Sequence, residues 1–441
     1  MKKRVWIVCA IILAVAMITG CSARDSGAMS SSAGLTAART GEASAAESSV
    51  ERAEEAPTGD YSADGEADAA YSTEAGPESG EAEHDAAVEQ GEASMQKPQP
   101  QPEAGTLTAG EWNDNQNYSF LLNLMDGHSE WKNFSNYWKI NLERRVAVTV
   151  TSSNGQPIAN VKVELLTATE KVLWEACTDN NGVAYLFDGI ALQSGRQPVA
   201  IQASLGSLVN TIPYNGEAEC EIVLGKAPKA SEPSLDIMFM IDTTGSMGDE
   251  LEYLKLELED VIGQVRTQNA NIPVRLSVGV YRDVEDDYIV RSTPFETSIS
   301  TPVKFLQKQS ANGGGDFEEA VEDALNDAIH EHDWNSEATA RLLFLVLDAP
   351  PHNTTQNLEY VPQLMADAAA QGIRIIPIAS SGIDKNTEFL LRSMSVTTGG
   401  SYVFLTDHSG VGNSHLEPTI GSYEVEYLND LLVRLIDQYL E

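Results

Sequence analysis

The chain has 441 residues, with 66 acidic and 28 basic side chains that give a formal net charge of −38. This acidity excludes a general nucleic-acid binder, because such proteins need clustered Lys and Arg to neutralise phosphates. Only four cysteines are present, none in a C-x-x-C spacing, which excludes a disulfide scaffold, a zinc ribbon and a thioredoxin-like redox site.

A targeting signal is predicted at residues 1–20. Three basic residues at positions 2–4 precede an apolar run from Val5 to Ile18. As a helix this run is about 21 Å long, which is short of the roughly 30 Å core of a bilayer. A basic start followed by a short apolar run is typical of a secretory signal peptide rather than of a permanent membrane span.

The signal ends in a lipidation motif, Ile18-Thr19-Gly20-Cys21. This motif resembles the lipobox of bacterial lipoproteins, in which the cysteine is acylated and becomes the new N-terminus. The resemblance implies a palmitate-type lipid on Cys21 and a lipid-anchored chain on the extracytoplasmic face of the cell membrane. A plain signal peptide with an incidental cysteine is the alternative.

Residues 21–105 are predicted to form a disordered acidic tether. They contain eighteen Asp and Glu against four Lys and Arg, and most of the remainder is Ala, Ser and Gly. Large apolar residues are too rare here to offset the chain entropy lost on folding. A solvated spacer that carries the folded part away from the membrane is favoured over a segment with a specific cationic partner.

A small antiparallel β-sandwich is predicted for residues 106–226. Valines at 146, 148 and 150 alternate with polar residues, the Asn154-Gly155 turn follows, and the alternation resumes at 161–165. The stretch from Val148 to Gly182 resembles the carboxypeptidase regulatory-like domain of transthyretin-like topology. The resemblance implies a spacer or binding accessory without catalysis.

Two further features of this region leave alternatives open. Trp112, Trp131 and Trp138 are expected to form a local core on the sandwich rather than an exposed carbohydrate-stacking face. Cys177 and Cys220 lie on two predicted strands, and a disulfide between them would close a loop of about 43 residues, worth roughly 4 kcal/mol in the loop-entropy model. Two separate buried thiols are the alternative.

Residues 234–441 alternate apolar strands with amphipathic helices. This alternation predicts an α/β, doubly wound parallel sheet, so that the whole protein is multidomain. Leu342–Leu347 and Ile373–Ile378 are near-continuous apolar runs, typical of strands buried on both faces. Ligands of such sheets bind beyond the carboxyl ends of the strands.

Polar side chains stand at two of these strand ends. Asp242, Thr244 and Ser246 follow the first strand, and Asp348 follows the strand at 342–347. Carboxylate and hydroxyl oxygens suit a hard cation such as Mg²⁺, and neither thiols nor imidazoles are prominent enough to indicate zinc. The sequence therefore predicts a magnesium site at this edge.

The Asp242-x-Thr244-x-Ser246 pattern, with Asp348 after a later strand, resembles the metal-ion-dependent adhesion site of von Willebrand factor type A domains. The resemblance covers 234–441. It implies that Thr244 and Ser246 ligate Mg²⁺, with Mn²⁺ or Ca²⁺ as alternatives, and that the two aspartates hold its waters. A partner carboxylate would complete the coordination.

One position departs from that family pattern. The family usually supplies a Thr from a Gly-rich loop, whereas here Asp316 follows Gly313–Gly315. Two compatible roles are open for Asp316. It would ligate the metal, or it would cap the following helix with Glu319 reaching back in a capping box.

These patterns indicate a surface lipoprotein without enzymatic activity that binds a protein or envelope polymer through its metal site. An envelope scaffold whose metal is purely structural is the first alternative. A metal-dependent hydrolase, with His352 as a base beside a metal-bound water, is the second. The polar loop at 407–415 has no predicted role.

Overall fold

A computed structural model describes residues 102–441, except 127–128, 192–195 and 227–231. The predicted signal peptide, Cys21 and nearly all of the predicted tether lie outside the described residues. Within the described ranges, no helix is long and apolar enough to cross a membrane. All of these residues belong to one compact unit.

Fifteen strands are found in the described part of the chain. In chain order they are β1 (Thr108–Trp112), β2 (Arg145–Thr151), β3 (Lys162–Thr167), β4 (Val172–Cys177), β5 (Val183–Phe187), β6 (Pro198–Leu205), β7 (Leu208–Pro213), β8 (Glu219–Val223), β9 (Leu235–Asp242), β10 (Val274–Tyr281), β11 (Val290–Ser292), β12 (Ala340–Leu347), β13 (Ile373–Ala379), β14 (Tyr402–Leu405) and β15 (Glu426–Tyr427).

The α-helices of the same ranges separate or follow these strands. They are α1 (Tyr118–Leu124), α2 (Glu130–Trp138), α3 (Asp188–Ala191), α4 (Leu251–Gln268), α5 (Ser300–Gln307), α6 (Val321–His330), α7 (Asn357–Gln371), α8 (Lys385–Thr398) and α9 (Leu428–Gln438).

The largest sheet has eight strands in the order β11-β10-β9-β12-β13-β14-β1-β15. The five central strands, β10, β9, β12, β13 and β14, run parallel to one another. Strands β11, β1 and β15 are antiparallel to the strands with which they pair. The sheet is therefore mixed rather than wholly parallel. Its parallel centre brings the carboxyl ends of β9, β10 and β12 to one edge, which is where polar side chains were predicted.

Helices cover both faces of this sheet. Alternate residues of β9 belong to two separate cores, as the period of two along a strand requires. Ile237, Phe239 and Ile241 pack with α4, α5 and α9, while Met238 and Met240 pack with α6, α7 and α8. The sheet is covered in the manner that the continuous apolar runs predicted.

Residues 145–223 form two smaller sheets, with three strands in the order β5-β2-β8 and four in the order β4-β3-β6-β7. Val146, Val148 and Val150 of β2 are fully buried, in agreement with their alternation in the sequence. The pair β2–β8 is parallel, which departs from the expected antiparallel pairing. The resemblance to the carboxypeptidase regulatory-like domain stays a prediction.

The segment before β2 lies elsewhere than expected. Strand β1 pairs with β14 and β15 and so belongs to the large sheet. A side chain at Gly110 would overlap the rings of Phe404 and Tyr423, so this close approach requires glycine. The three tryptophans are buried and share one core with the valines of β2, and Trp131 and Trp138 of α2 also contact Phe389 and Asn386 of α8.

Cys177 and Cys220 are free thiols in the structure, so the disulfide that the sequence left open is not formed. They stand on strands of different small sheets, β4 and β8. The Cys177 thiol donates to the carbonyl oxygen of Ala370 in α7, at 3.2 Å. This thiol therefore takes part in the contact between β4 and α7.

Candidate metal centre

The candidate centre begins at the carboxyl end of β9, whose eight residues are all buried. The Asp242 side chain is fully buried, and its Oδ1 accepts hydrogen bonds from the amide and the hydroxyl of Thr244, at 2.8 and 2.7 Å. The Thr244 and Ser246 hydroxyl oxygens are 3.1 Å apart. Three of the predicted side chains therefore lie together in one turn.

Asp348 reaches the same place because β12 is the parallel neighbour of β9. Burial raises the pKa of Asp242, and the Asp348 carboxylate raises it further. Burial likewise raises the pKa of Asp348, although the Ser246 hydroxyl opposes this by hydrogen bonding to its carboxylate. Two acidic groups thus share a buried site in which their negative charges repel.

A third buried carboxylate, that of Glu319, was not predicted as part of the centre. The Glu319 side chain precedes α6 and is 3% exposed. Burial raises its pKa to about 9, with further contributions from Asp242, Asp283, Asp348 and Asp286. Glu319 therefore lies within the electrostatic reach of the Asp242–Asp348 pair, in the loop from which the family pattern draws a Thr.

The Asp316 side chain is exposed, and it groups with Asp283 and His352. The capping role predicted for Asp316 is wrong, because α6 begins at Val321 and Ala320 occupies the N-cap position. Glu319 is held differently from Asp316: the Glu319 amide donates to the Pro350 carbonyl oxygen at 3.0 Å, which ties it to the loop that follows Asp348. A ligand role for Asp316 stays a prediction.

The glycine loop before Asp316 is fixed by close contacts. Gly313 and Gly314 have φ values of +85° and +73°, a region that favours glycine. A side chain at Gly313 would overlap the Asp286 carboxylate. The Gly313 carbonyl oxygen accepts from the Gly245 amide at 3.1 Å, which joins this loop to the Asp242–Ser246 turn.

The polar loop 407–415 lies beside the same turn. The His415 imidazole stands between two carboxylates, with Nδ1 2.8 Å from Asp407 Oδ1 and Nε2 3.1 Å from Glu250 Oε1. Asn413 donates to the Asp249 carboxylate at 2.9 Å. Because Asp249 and Glu250 come directly after the turn that carries Ser246, this loop flanks the candidate centre.

The donor set fits a divalent cation. Oδ2 of Asp242, Oδ1 of Asp348 and Oε2 of Glu319 are buried and have no hydrogen-bond partner among the described residues. An unpaired buried carboxylate oxygen is costly, and its usual partner in a protein is a cation or a hydrogen-bond donor. Oxygen donors alone favour a hard cation such as Mg²⁺.

The family model of the von Willebrand factor A domain matches residues 236–413. These residues form a von Willebrand factor A domain. Such domains often hold a divalent metal at an adhesion site and commonly mediate protein interactions. The match covers the turn at Asp242, the strand before Asp348 and most of the loop at 407–415.

Two curated proteins are similar to part of this chain. An ariadne-like RING finger protein of Acanthamoeba polyphaga mimivirus is 25% identical over 187 residues, which are 39% of this chain and 18% of that protein. Alpha-protein kinase vwkA of Dictyostelium discoideum is 26% identical over 205 residues, 45% of this chain and 31% of the kinase. The chain thus spans less than a third of either relative.

Among solved structures, protein BatB from Bacteroides thetaiotaomicron is 14% identical, with a TM-score of 0.33, and the match covers 47% of this chain and 98% of BatB. An aerotolerance-related membrane protein from Bacteroides fragilis is 12% identical, with a TM-score of 0.33, over 46% of this chain and 100% of that structure.

Proposed function

We propose that this chain is an extracytoplasmic lipoprotein, without enzymatic activity, that binds a protein or envelope polymer through a divalent cation in its von Willebrand factor A domain. The observation that carries the proposal is the pair of buried carboxylates of Asp242 and Asp348. Each has an oxygen that finds no hydrogen-bond partner in the part of the chain that the structure describes, and the hydroxyls of Thr244 and Ser246 lie in the same turn region.

A cation bound here would supply an electrophilic position for an oxygen group of the partner. Asp242, Thr244, Ser246 and Asp348 are the side chains that would hold it, with Glu319 as a further carboxylate nearby. Five oxygen-bearing side chains favour Mg²⁺ over a metal that prefers nitrogen or sulfur.

The surroundings of the centre suit contact with a protein. Three large apolar side chains, those of Val284, Ile289 and Phe317, are at least a third exposed. They stand on the loop after β10 and on the loop before α6, which both lie at the carboxyl edge of the sheet. Exposed apolar side chains that surround a polar group are typical of a protein-binding surface.

The test is capture of envelope proteins by the full-length chain, in Mg²⁺ and again in EDTA. The proposal expects capture in Mg²⁺ that is lost in EDTA and in Asp242→Asn. Asp367→Asn is the matched control, because Asp367 is an aspartate of α7 that pairs with His330 away from the centre. Capture that is insensitive to metal and to Asp242→Asn favours the scaffold alternative, and turnover of a phosphoester or peptide panel favours the hydrolase.

A further inference from the structure

A second group of metal-ligating side chains stands at the same edge of the large sheet. Asp283, Asp316 and His352 each place one ligand atom so that the three atoms lie within 4.8 Å of one another. None of the three belongs to the Asp242-x-Thr244-x-Ser246 signature. We propose that they bind a second divalent cation, of the imidazole-preferring transition-metal class represented by Zn²⁺.

The three side chains come from three loops that are tied together. Asp286 Oδ2 accepts hydrogen bonds from the Asp283 amide, at 3.1 Å, and from the Gly314 amide, at 2.8 Å. Asp286 thereby joins the loop after β10 to the loop that carries Asp316. The position of Asp316 beside Asp283 is therefore set by the backbone of the glycine loop.

The loop after β12 completes the group. His352 Nε2 lies 2.6 Å from Asp283 Oδ1, and the His352 carbonyl oxygen accepts from the Asn357 side chain at 3.0 Å. The Asn353 side chain donates to Glu318 at 3.1 Å, which holds this loop against the one that carries Asp316. The loops that carry the three ligands are thus held together before a cation arrives, which lowers the entropy lost on binding.

A divalent cation matches the charge of the group better than a proton does. Two carboxylates and a neutral imidazole carry a formal charge of −2, of which a proton on His352 offsets one unit and a divalent cation offsets both. A further acidic side chain lies nearby: Glu319 is buried, its Oε2 has no partner among the described residues, and its electrostatic neighbours include Asp283 and Asp286.

The ligand types predict that the two centres discriminate between metals. An imidazole nitrogen favours Zn²⁺, whereas the Asp242 centre offers oxygen alone and favours Mg²⁺. Glu319 is electrostatically linked to both groups, because Asp242 and Asp348 of one and Asp283 of the other all act on its carboxylate. A cation in one centre therefore lowers the repulsion among the negative charges that surround the other centre.

The experiment measures metal binding by the full-length chain after EDTA treatment, with Mg²⁺ kept in excess to fill the Asp242 centre. Zn²⁺ is followed by titration calorimetry and Co²⁺ by its visible absorption as a spectroscopic substitute. The wild-type chain is expected to bind one Zn²⁺ and to develop Co²⁺ absorption. Asp316→Asn, at an exposed position that does not endanger folding, is expected to weaken Zn²⁺ binding about tenfold or more, and His352→Ala to abolish the Co²⁺ absorption.

Two controls make the outcome decisive. His330→Ala removes another histidine that is hydrogen-bonded to an aspartate, Asp367 at 3.2 Å, and is expected to change neither signal. Asp242→Asn is expected to lose Mg²⁺ but to keep the Co²⁺ absorption, so that failure of the proposed adhesion function is distinguishable from failure of this inference. Equal Zn²⁺ affinity in wild type, Asp316→Asn and His352→Ala would overturn it.

Discussion

The Arg392 guanidinium donates hydrogen bonds to both carboxylate oxygens of Asp114, at 2.8 and 2.6 Å, and both side chains are fully buried. The Trp112 indole also donates to Asp114, at 3.0 Å, and the Trp131 ring lies against the guanidinium. Asp114 follows β1 and Arg392 is on α8. This pair therefore fixes the N-terminal part of the described chain to the von Willebrand factor A domain.

Removal of that carboxylate is expected to be strongly destabilising. Asp114→Ala leaves the buried Arg392 with a single acidic partner, Glu388 at 3.3 Å, and should lower the free energy of unfolding by about 3 kcal/mol. Urea unfolding followed by tryptophan fluorescence measures the loss. Glu143→Ala is the control, because the Lys132–Glu143 pair is about one third exposed and should cost less than about 1 kcal/mol. Equal losses would contradict the prediction.

Mg²⁺ is expected to stabilise the wild-type chain and not Asp242→Asn. In the metal-free chain the Asp242 and Asp348 carboxylates repel, and Asn removes one charge while its Oδ1 still accepts from Thr244. The metal-free variant should therefore melt no lower than the metal-free wild type. At a concentration about a hundredfold above Kd, Mg²⁺ should add about 2.7 kcal/mol to the wild type alone. Scanning calorimetry checks both outcomes, and an equal Mg²⁺ response in the variant would refute the assignment.

Glu319 is expected to matter more for Mg²⁺ than Asp316, although the sequence assigned that role to Asp316. Glu319→Gln should weaken Mg²⁺ binding about tenfold, which is ~1.4 kcal/mol. Asp316→Thr should change it by less than about threefold, because the Asp316 side chain is exposed and groups with Asp283 and His352. Titration calorimetry ranks the two variants, and the reverse order would restore Asp316 to the Asp242 centre.

His415 is expected to make the stability of the chain depend on pH. Burial lowers the pKa of His415, but hydrogen bonds to Glu250 and Asp407 outweigh this and raise it above the ordinary value of 6.5. A raised folded-state pKa adds stability below about pH 6.5, and this stability is lost as the pH rises through the folded value. His415→Gln should therefore be more destabilising at about pH 5.5 than at about pH 8.5. A constant difference in urea midpoints across this range would argue against the charged contact.

Cys21 is expected to anchor the chain. Cys21→Ala should leave the precursor unprocessed or release the protein from membranes. Each buried acyl CH₂ contributes about 0.8 kcal/mol of membrane binding, and the variant carries no acyl chain. Membrane fractionation and intact-mass measurement report the two outcomes. Cys177→Ala is the matched control, since its thiol lies against α7. Normal cleavage with unchanged membrane retention in Cys21→Ala would reject the lipoprotein proposal.

Local patterns predicted the parts of the fold that depend on burial. The alternating valines of β2 and the continuous apolar runs of β12 and β13 became strands with the expected exposure. The closeness of Asp242 and Asp348 followed from two parallel strand ends, and the structure brings these residues together. Each prediction used only the period of a strand and the direction of its neighbour.

Features that depend on distant or irregular backbone were not predictable in this way. Strand β1 has the sequence Thr-Ala-Gly-Glu-Trp, which has no regular alternation, and its partners lie near the other end of the chain. Glu319 was overlooked because it lies in an irregular loop, where the positive φ angles of Gly313 and Gly314 break any periodic pattern that would indicate which acidic residue is buried. Neither the pairing nor the turn leaves a periodic signal in the sequence.

The position of β1 has a consequence for how the protein is made. Its residues are translated well before those of β14 and β15, so the large sheet stays incomplete until β15 has been synthesised. Such non-local pairing slows folding and exposes intermediates to aggregation. A fragment that begins after Trp112 lacks this strand and leaves the backbone of β14 open to pairing with another chain.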